Sequence, residues 1–551
     1  MKFTEKTLGD YIDSICEKYA DKEAAVFADT DTRYTYKMFK TLYNNMAKGL
    51  IEIGIKKGDH ISIWSLNCPE YIALQIAAAK IGAILVCLNS SYTKHEIEYT
   101  LNHSDSNTLI LSDGFKGHDY LETIYQICPE LHTSKPGELT SKRLPILKNI
   151  ILMGNRENEN AFRLTDLIDL GSKIPDNKLL ELSNKVHCYE TVSFQFTSGT
   201  TGNPKAVMSN HFSILNNALA TAERFQYSTN DKVLICLPLF HVMGIVLSAI
   251  VSLVSGASFV LFDRFQTSKA LSLVEKEKCT ALNAVPTMFK FMLSQNEVDN
   301  YNMSSLSKGM IGGSCCSPEL LQSIINNLHM NKLASIYGQT EAMGITQTMY
   351  HDNIEKRINT VGNGYFGTEI KIMNPKTGEE MPDNIEGELC IKTPYIMNGY
   401  YKDKEATDKV IDSEGWLHTG DLAIRRYDGH IKIIGRIKDI IIRGGENISP
   451  AELEELLASH NNIKDAAVIG VPDEFMGEEI CAFIIPEDGC LIEENQVKDF
   501  INSTLAKYKT PKYVEFVNQF PVTASGKIKK FMLKEIAIKK YNLRYDEAMV
   551  G

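Results

Sequence analysis

The chain has 551 residues, 44% of them hydrophobic, and a formal net charge of −11. A length of this kind predicts more than one domain with sizeable cores, and the acidic balance argues against nucleic acid as a partner. Met1–Lys6 lacks an apolar signal region, and twelve cysteines without a C-x-x-C pair argue against zinc and fit reduced thiols, so a cytoplasmic location is expected.

Along the chain, helical and strand-like runs alternate. Tyr71–Lys80 reads as a helix and Ala83–Leu88 as a buried strand. Thr191–Phe196 reads as a strand running into a glycine- and threonine-rich loop. The apolar stretch Ile245–Phe262 is broken by Ser248, Ser252, Ser255, Gly256 and Ser258. A membrane span wants about 20 cleaner apolar residues, so a buried helix followed by a strand is expected and a transmembrane segment is not. Thr368–Met373 alternates like a strand. Around Asp428-Gly429 and Gly435 the chain becomes turn-rich and charged. A second unit then begins with a helix over Ala451–Leu457 and a strand over Ile463–Val471. The alternation predicts an α/β fold, with a boundary near Lys438 dividing residues 1–437 from 438–551.

The loop Thr197-Ser198-Gly199-Thr200-Thr201-Gly202-Asn203-Pro204-Lys205 packs four hydroxyl side chains, two glycines and one lysine into nine residues. Glycines let the backbone approach a ligand, hydroxyls and bare N–H groups donate, and the lysine adds positive charge. That combination suits a polyphosphate. A P-loop would need four residues between its glycines and a hydroxyl after the lysine. Here two residues separate Gly199 from Gly202, and Ala206 follows Lys205. Gly362-Asn363-Gly364-Tyr365-Phe366-Gly367 fits G-x-G-x-x-G, but a strand-like run follows it where a dinucleotide fold needs a helix. It is read as turns between strands.

Four further segments accompany the loop: Tyr337-Gly338-Gln339-Thr340-Glu341, Gly415-Trp416-Leu417-His418-Thr419-Gly420-Asp421, Gly435-Arg436-Ile437-Lys438-Asp439 and Pro521-Val522-Thr523-Ala524-Ser525-Gly526-Lys527. In order and spacing all five resemble the motifs of the adenylate-forming superfamily, which includes acyl-CoA synthetases, peptide-synthetase adenylation domains and luciferases. The resemblance covers roughly residues 25 to 535. It implies a large multi-subdomain N-terminal domain and a small, mobile C-terminal α+β lid. It also implies a two-step reaction, in which a carboxylate attacks the α-phosphate of ATP and a thiol then attacks the acyl-adenylate. The cofactors implied are ATP, Mg²⁺ and coenzyme A.

By the same resemblance, Thr197 to Lys205 grip the β- and γ-phosphates. Thr340 contacts the α-phosphate, and Glu341 is the magnesium ligand, a sensible one because Mg²⁺ prefers hard oxygen donors. Asp421 accepts from the ribose hydroxyls, with Arg436 as its partner. Gly312-Gly313-Ser314 lies along adenine and the acyl group, Tyr337 stacks on the base, and Lys527 bridges carboxylate and α-phosphate during adenylation. Lys438 is the hinge of the lid, after whose rotation Gly444-Gly445-Glu446 approaches the pantetheine arm. Ala206 departs from the usual glycine, and Cys315 stands where the family often has proline.

The acid is read from two positions. Acetate-activating relatives carry Trp where this chain has Gly338, so the resemblance implies room for a longer acyl or aryl group. Amino-acid-activating relatives carry Asp where this chain has His241, which disfavours an amino acid and makes His241 a candidate gate near the acyl and pantetheine channels. Leu88–Tyr99 and the insertion Lys135–Leu139 resemble medium-chain fatty-acyl-CoA synthetases. The favoured substrate is a medium- to long-chain fatty acid. The alternatives are an aromatic or other bulky carboxylate, or loading of a carrier-protein thiol. From other classes, a phosphotransferase would release ADP, and a nucleotide-binding regulator would not turn over. A homodimer is left open.

Overall fold

The computed structural model describes residues 2–154, 156–197, 204–294, 298–314, 316–444, 446–523 and 527–543. Two sheets dominate the first four hundred residues. The larger has nine strands, ordered Asn363–Gly364, Met343–Gln347, Lys332–Gln339, Lys308–Gly312, Ala281–Asn283, Lys232–Ile235, Ser258–Leu261, Glu23–Phe27 and Thr32–Thr35. Its middle pairings are parallel and its ends antiparallel. The second has seven strands, ordered Lys205–Asn210, Thr191–Thr197, Ile84–Cys87, His60–Trp64, Thr108–Leu111, Asn149–Leu152 and Phe162–Arg163. Only the pairing of Thr191–Thr197 with Lys205–Asn210 is antiparallel there.

The strands are apolar on both faces, as parallel strands covered by helices must be. Val233, Ile235, Phe259 and Leu261 of the larger sheet share one core with Ile61, Ile63, Leu85 and Cys87 of the smaller. The intervening side chains Leu234 and Val260 point the other way, into a second core. Val86 and Leu109 do the same on the far side of the smaller sheet. The helix Pro69–Ile81 lies in the shared core. Proline opens it, Gly82 closes it at φ +70°, and every residue but Glu70 is buried, which is why its apolar residues run all round rather than along one stripe.

The expected elements are present: helix Pro69–Ile81, strands Ile84–Cys87, Thr191–Thr197 and Glu369–Met373, helix Pro450–Ala458 and strand Ile463–Asp473. The segment after Gly362 is a turn between strands, not a dinucleotide helix. The apolar stretch is a buried helical run ending in the strand Ser258–Leu261. Its middle, Ile245–Ile250, winds as a π-helix between α-helical turns. No helix among the described residues is long and apolar enough to cross a membrane.

A four-stranded antiparallel sheet follows: Glu369–Met373, Glu386–Lys392, Leu417–Arg425 and Ile431–Arg436. After it a single 3₁₀ turn, Ile437–Asp439, leads into the last sheet. That sheet is formed by Glu446–Ile448, Ile441–Arg443, Gly477–Pro486, Ile463–Asp473 and Tyr513–Phe516, with its own core around Leu453, Val468 and Ile480. The C-terminal unit touches the rest through a 2.8 Å ion pair between Lys290 and Asp465 and a 3.0 Å hydrogen bond from Ser449 Oγ to the Ile434 carbonyl.

Candidate active site

In open α/β sheets, ligands bind beyond the carboxyl ends of the strands. Those ends supply most of the candidate residues. Lys308–Gly312 runs out into Gly313 and Ser314. Its neighbour Lys332–Gln339 ends at Tyr337, Gly338 and Gln339. Lys232–Ile235 leads to His241, which begins the helical run at Val242.

Asp421 is the centre of one cluster. It is buried, and its Oδ2 accepts from the Tyr337 hydroxyl at 2.6 Å and from Gln339 Nε2 at 2.8 Å. Arg436, its partner across two antiparallel strands, brings Nε to 3.2 Å from Oδ1. Burial and the Asp421 charge hold the Tyr337 phenol well above the ordinary tyrosine range, so it donates. Tyr337 and Gln339 thus fix the carboxylate in place, and its remaining lone pairs stay available to hydroxyl donors.

A second cluster lies at the flanks of the candidate phosphate loop. Ser198, Gly199, Thr200, Thr201, Gly202 and Asn203 lie outside the described residues. Their flanks are held, since Thr197 and Lys205 pair directly across the antiparallel strands. The Lys205 ammonium sits 5.0 Å from the centre of the Tyr400 ring. The Tyr400 hydroxyl donates at 2.7 Å to Glu341 Oε1. One aromatic side chain therefore joins the loop cation to the candidate metal ligand. Glu341 and Thr340 occupy the turn between Lys332–Gln339 and Met343–Gln347. Tyr99 places its hydroxyl 3.5 Å from the Pro204 carbonyl. Ala206 is fully buried and its carbonyl accepts from Tyr401 N–H at 2.9 Å, so its methyl is absorbed by the core.

Lys527 arrives from the C-terminal unit, its turn closed by bonds between Thr523 and Lys527. Its ammonium feels Arg436, Asp421 and Glu341 together. Burial and Arg436 depress its pKa below the ordinary lysine value, and the two carboxylates pull it back. The side chain is nevertheless exposed to solvent on one side. His241 faces the same charge. Burial, then Lys527, push its pKa down to about 3, and its Nε2 has no partner among the described residues. It is therefore a neutral imidazole.

Two expectations change. Gly338 does not simply leave a pocket floor open. A Cβ built there would lie 1.9 Å from the Met343 carbonyl oxygen, so a side chain at this position would force the hairpin to shift. Gly313, at φ +87°, is likewise hemmed in by Met243 Sδ and Val285 Cγ1 at 3.2 and 3.3 Å from an added Cβ. Gly444 and Glu446 are not brought to the clusters. Gly444 N–H bonds to Met476 at 2.8 Å, and Glu446 pairs with Arg443. Gly445, Cys315 and Gly526 lie outside the described residues. Lys438 is exposed in the 3₁₀ turn directly after Arg436. Tyr400 and Gln339 were not singled out from sequence. Gln339 occupies the variable position of its motif, and Tyr400 lies in no motif at all.

This constellation sits on two α/β sheets with a separate C-terminal unit, the frame of an AMP-binding enzyme. The chain belongs to the AMP-binding enzyme family, which matches residues 12–401, and the AMP-binding enzyme C-terminal domain matches residues 452–527. It is 41% identical to YngI of Bacillus subtilis (strain 168), covering 98% of both chains. It is 38% identical to the mitochondrial medium-chain acyl-CoA ligase ACSF2 of Danio rerio, covering 98% of this chain and 89% of that one. Its fold matches that of the anthranilate CoA ligase AuaEII in complex with anthranoyl-AMP, with a TM-score of 0.87, 24% identity and 98% of each chain covered.

Proposed function

We propose that this chain is an acyl-CoA synthetase acting on medium-chain fatty acids. The observation that carries the reading is the arrival of Lys527 from the C-terminal unit among Asp421, Arg436 and Glu341. In the first step a carboxylate oxygen bonds to the α-phosphorus of ATP and the bond to the β-phosphate oxygen breaks, releasing pyrophosphate. Charge builds on the phosphate oxygens, and Lys527, Lys205 and the loop donors answer it with fixed positive groups. Asp421, oriented by Tyr337 and Gln339, takes the ribose hydroxyls. In the second step the thiolate sulfur of coenzyme A bonds to the acyl carbon and the bond to AMP breaks.

Glu341 suits Mg²⁺. Tyr400 fixes one of its oxygens, and a carboxylate has further lone pairs for a hard cation. When bound there, the ion neutralises phosphate charge. The neutral His241 borders the acyl group, with no carboxylate at that position to receive an ammonium. Residues 438–551 form the lid and Lys438 its hinge. The charges that Lys527 feels from Asp421 and Glu341 favour the adenylation role, whereas Gly444 and Glu446 are engaged with Met476 and Arg443. Twelve cysteines without a C-x-x-C pair suit a cytosolic location, and the thioester product enters fatty-acid metabolism.

The experiment is release of pyrophosphate and AMP with acids from acetate to stearate and with aryl acids, with and without coenzyme A. Fastest turnover with octanoate- to dodecanoate-sized acids, and an acyl-CoA product, are expected. Release of ADP would refute the reading. Acyl-adenylate formation without transfer to coenzyme A would make a carrier protein the acceptor.

A further inference from the structure

One cluster lies apart from the nucleotide site. In the four-stranded sheet, Leu389, Ile391 and Leu417 face the core, and the pleat turns Glu388, Cys390 and His418 to the opposite face. Cys390 and His418 are direct partners on neighbouring strands. Cys390 Sγ lies 3.4 Å from His418 Nδ1, and Glu388 Oε2 lies 3.0 Å from the same nitrogen. One sulfur, one imidazole nitrogen and one carboxylate oxygen thus fall within 4.8 Å of one another, the only such group of three metal-binding side chains among the described residues. The second ring nitrogen of His418 faces Asp412 Oδ2 at 3.7 Å. Metal-ligating histidines are ordinarily backed in this way by an outer carboxylate.

We propose that Glu388, Cys390 and His418 bind a divalent cation of borderline or soft character, zinc above all. Three protein ligands with a fourth position for water is a recognised zinc geometry. Cys390 is buried while Glu388 and His418 reach solvent, which leaves that fourth side open. On binding, the thiol proton passes to solvent as the sulfur–metal bond forms, and thiolate plus carboxylate balance the charge of the ion. Lys371, across from Cys390 in the neighbouring strand, is the nearby opposing cation. Its ammonium is held 4.2 Å from the centre of the Trp416 ring. Magnesium, which prefers hard oxygen donors, does not compete for a thiolate site. The absence of C-x-x-C excludes a pair of cysteine ligands close in sequence; here Glu388 and Cys390 come from one strand and His418 from its neighbour. The ion ties those strands together just before Asp421, where Glu388 Oε1 already accepts the Gly420 N–H at 3.1 Å.

The test uses the full chain, stripped of metal by chelation and titrated with Co²⁺. A sulfur-to-metal charge-transfer band saturating at one equivalent is expected, to be displaced by Zn²⁺ and lost in Cys390→Ser. Glu388→Gln, at a partly open position, should weaken Zn²⁺ binding at least tenfold, which keeps the test valid if Cys390→Ser does not fold. Zinc should raise the Tm of the wild type and not that of either variant. Absence of the band in the wild type, or unchanged Zn²⁺ affinity in Glu388→Gln, would overturn the proposal.

Discussion

The Tyr400 hydroxyl donates to Glu341 Oε1 at 2.7 Å while the same ring carries the Lys205 ammonium 5.0 Å from its centre. The ring sets the spacing between a cation and an acid from segments far apart in sequence. Tyr400→Phe keeps the cation–π contact and removes the hydrogen bond. A hydrogen bond to a charged group is worth about 1.5–3 kcal/mol, so adenylation should slow roughly 10- to 100-fold, with a higher Mg²⁺ requirement. Pyrophosphate release measured against Mg²⁺ concentration checks this. An unchanged Mg²⁺ dependence would separate Tyr400 from the role assigned to Glu341.

Lys527→Ala should slow acyl-adenylate formation by roughly 10²- to 10³-fold, the usual loss on removing a preorganised stabilising donor. Thioester formation from supplied acyl-adenylate should change much less. The depressed lysine pKa adds a sign. Adenylation should fall as pH rises through a value below the ordinary 10.5, because the ammonium is then lost. Lys527→Arg, still charged there, should be slower but without that alkaline limb. Equal loss in both half-reactions would remove Lys527 from its assigned role.

Gly338→Ala tests the hairpin against the pocket. With its Cβ 1.9 Å from the Met343 carbonyl, the variant must push two strands apart. Overpacking of this kind costs about 1–3 kcal/mol. A lower Tm and a similar fall in kcat/KM for every acid from acetate to palmitate are expected. Selective loss of long acids at unchanged Tm would show instead that Gly338 floors the acyl pocket.

His211 gives a pH dependence of stability. Burial pushes its pKa down to about 3, and its Nδ1 accepts the Leu8 N–H at 3.3 Å, pinning the first helix. The folded chain holds this imidazole neutral, while the unfolded chain protonates it near 6.5. Its contribution is therefore present above about pH 6.5 and lost as pH falls towards 3, at up to about 1.4 kcal/mol per pH unit. Urea midpoints between pH 7 and 5 should fall, and should fall less steeply in His211→Asn. Identical slopes would assign the effect to other groups.

Lys438→Pro tests the hinge. Proline fixes φ near −65° in the single 3₁₀ turn between the two C-terminal sheets. Adenylation should persist while transfer to coenzyme A drops. Normal overall turnover would place the hinge elsewhere.

Much of this architecture was legible in the sequence because two signals are local. A short apolar run marked Ile84–Cys87, a β-like run marked Thr191–Thr197, and a helical run marked Pro450–Ala458. The site residues were legible only through motif resemblance, since nothing in the local composition of Asp421 announces a buried carboxylate held by Tyr337 and Gln339. Tyr400 was invisible because its role depends on pairing with the strand Lys205–Asn210, nearly two hundred residues earlier. For Gly338, a missing side chain looks like free space in a sequence, whereas in the fold an added Cβ would meet the backbone of Met343. The cluster of Glu388, Cys390 and His418 comes from strand register, which spacing along the chain does not encode.

The π-helical stretch Ile245–Ile250 begins just after the segment that carries His241. A π-turn is an α-helix that has taken in an extra residue. Each α-helical residue turns the chain by about 100° and advances it about 1.5 Å. Deleting one residue from this stretch, with Val251–Val254 fixed by its packing, would swing His241 around the helix axis and shift it along that axis. The aim of the imidazole is thus set by winding as well as by side-chain identity. A one-residue insertion or deletion here would reposition His241 while leaving every motif residue unchanged.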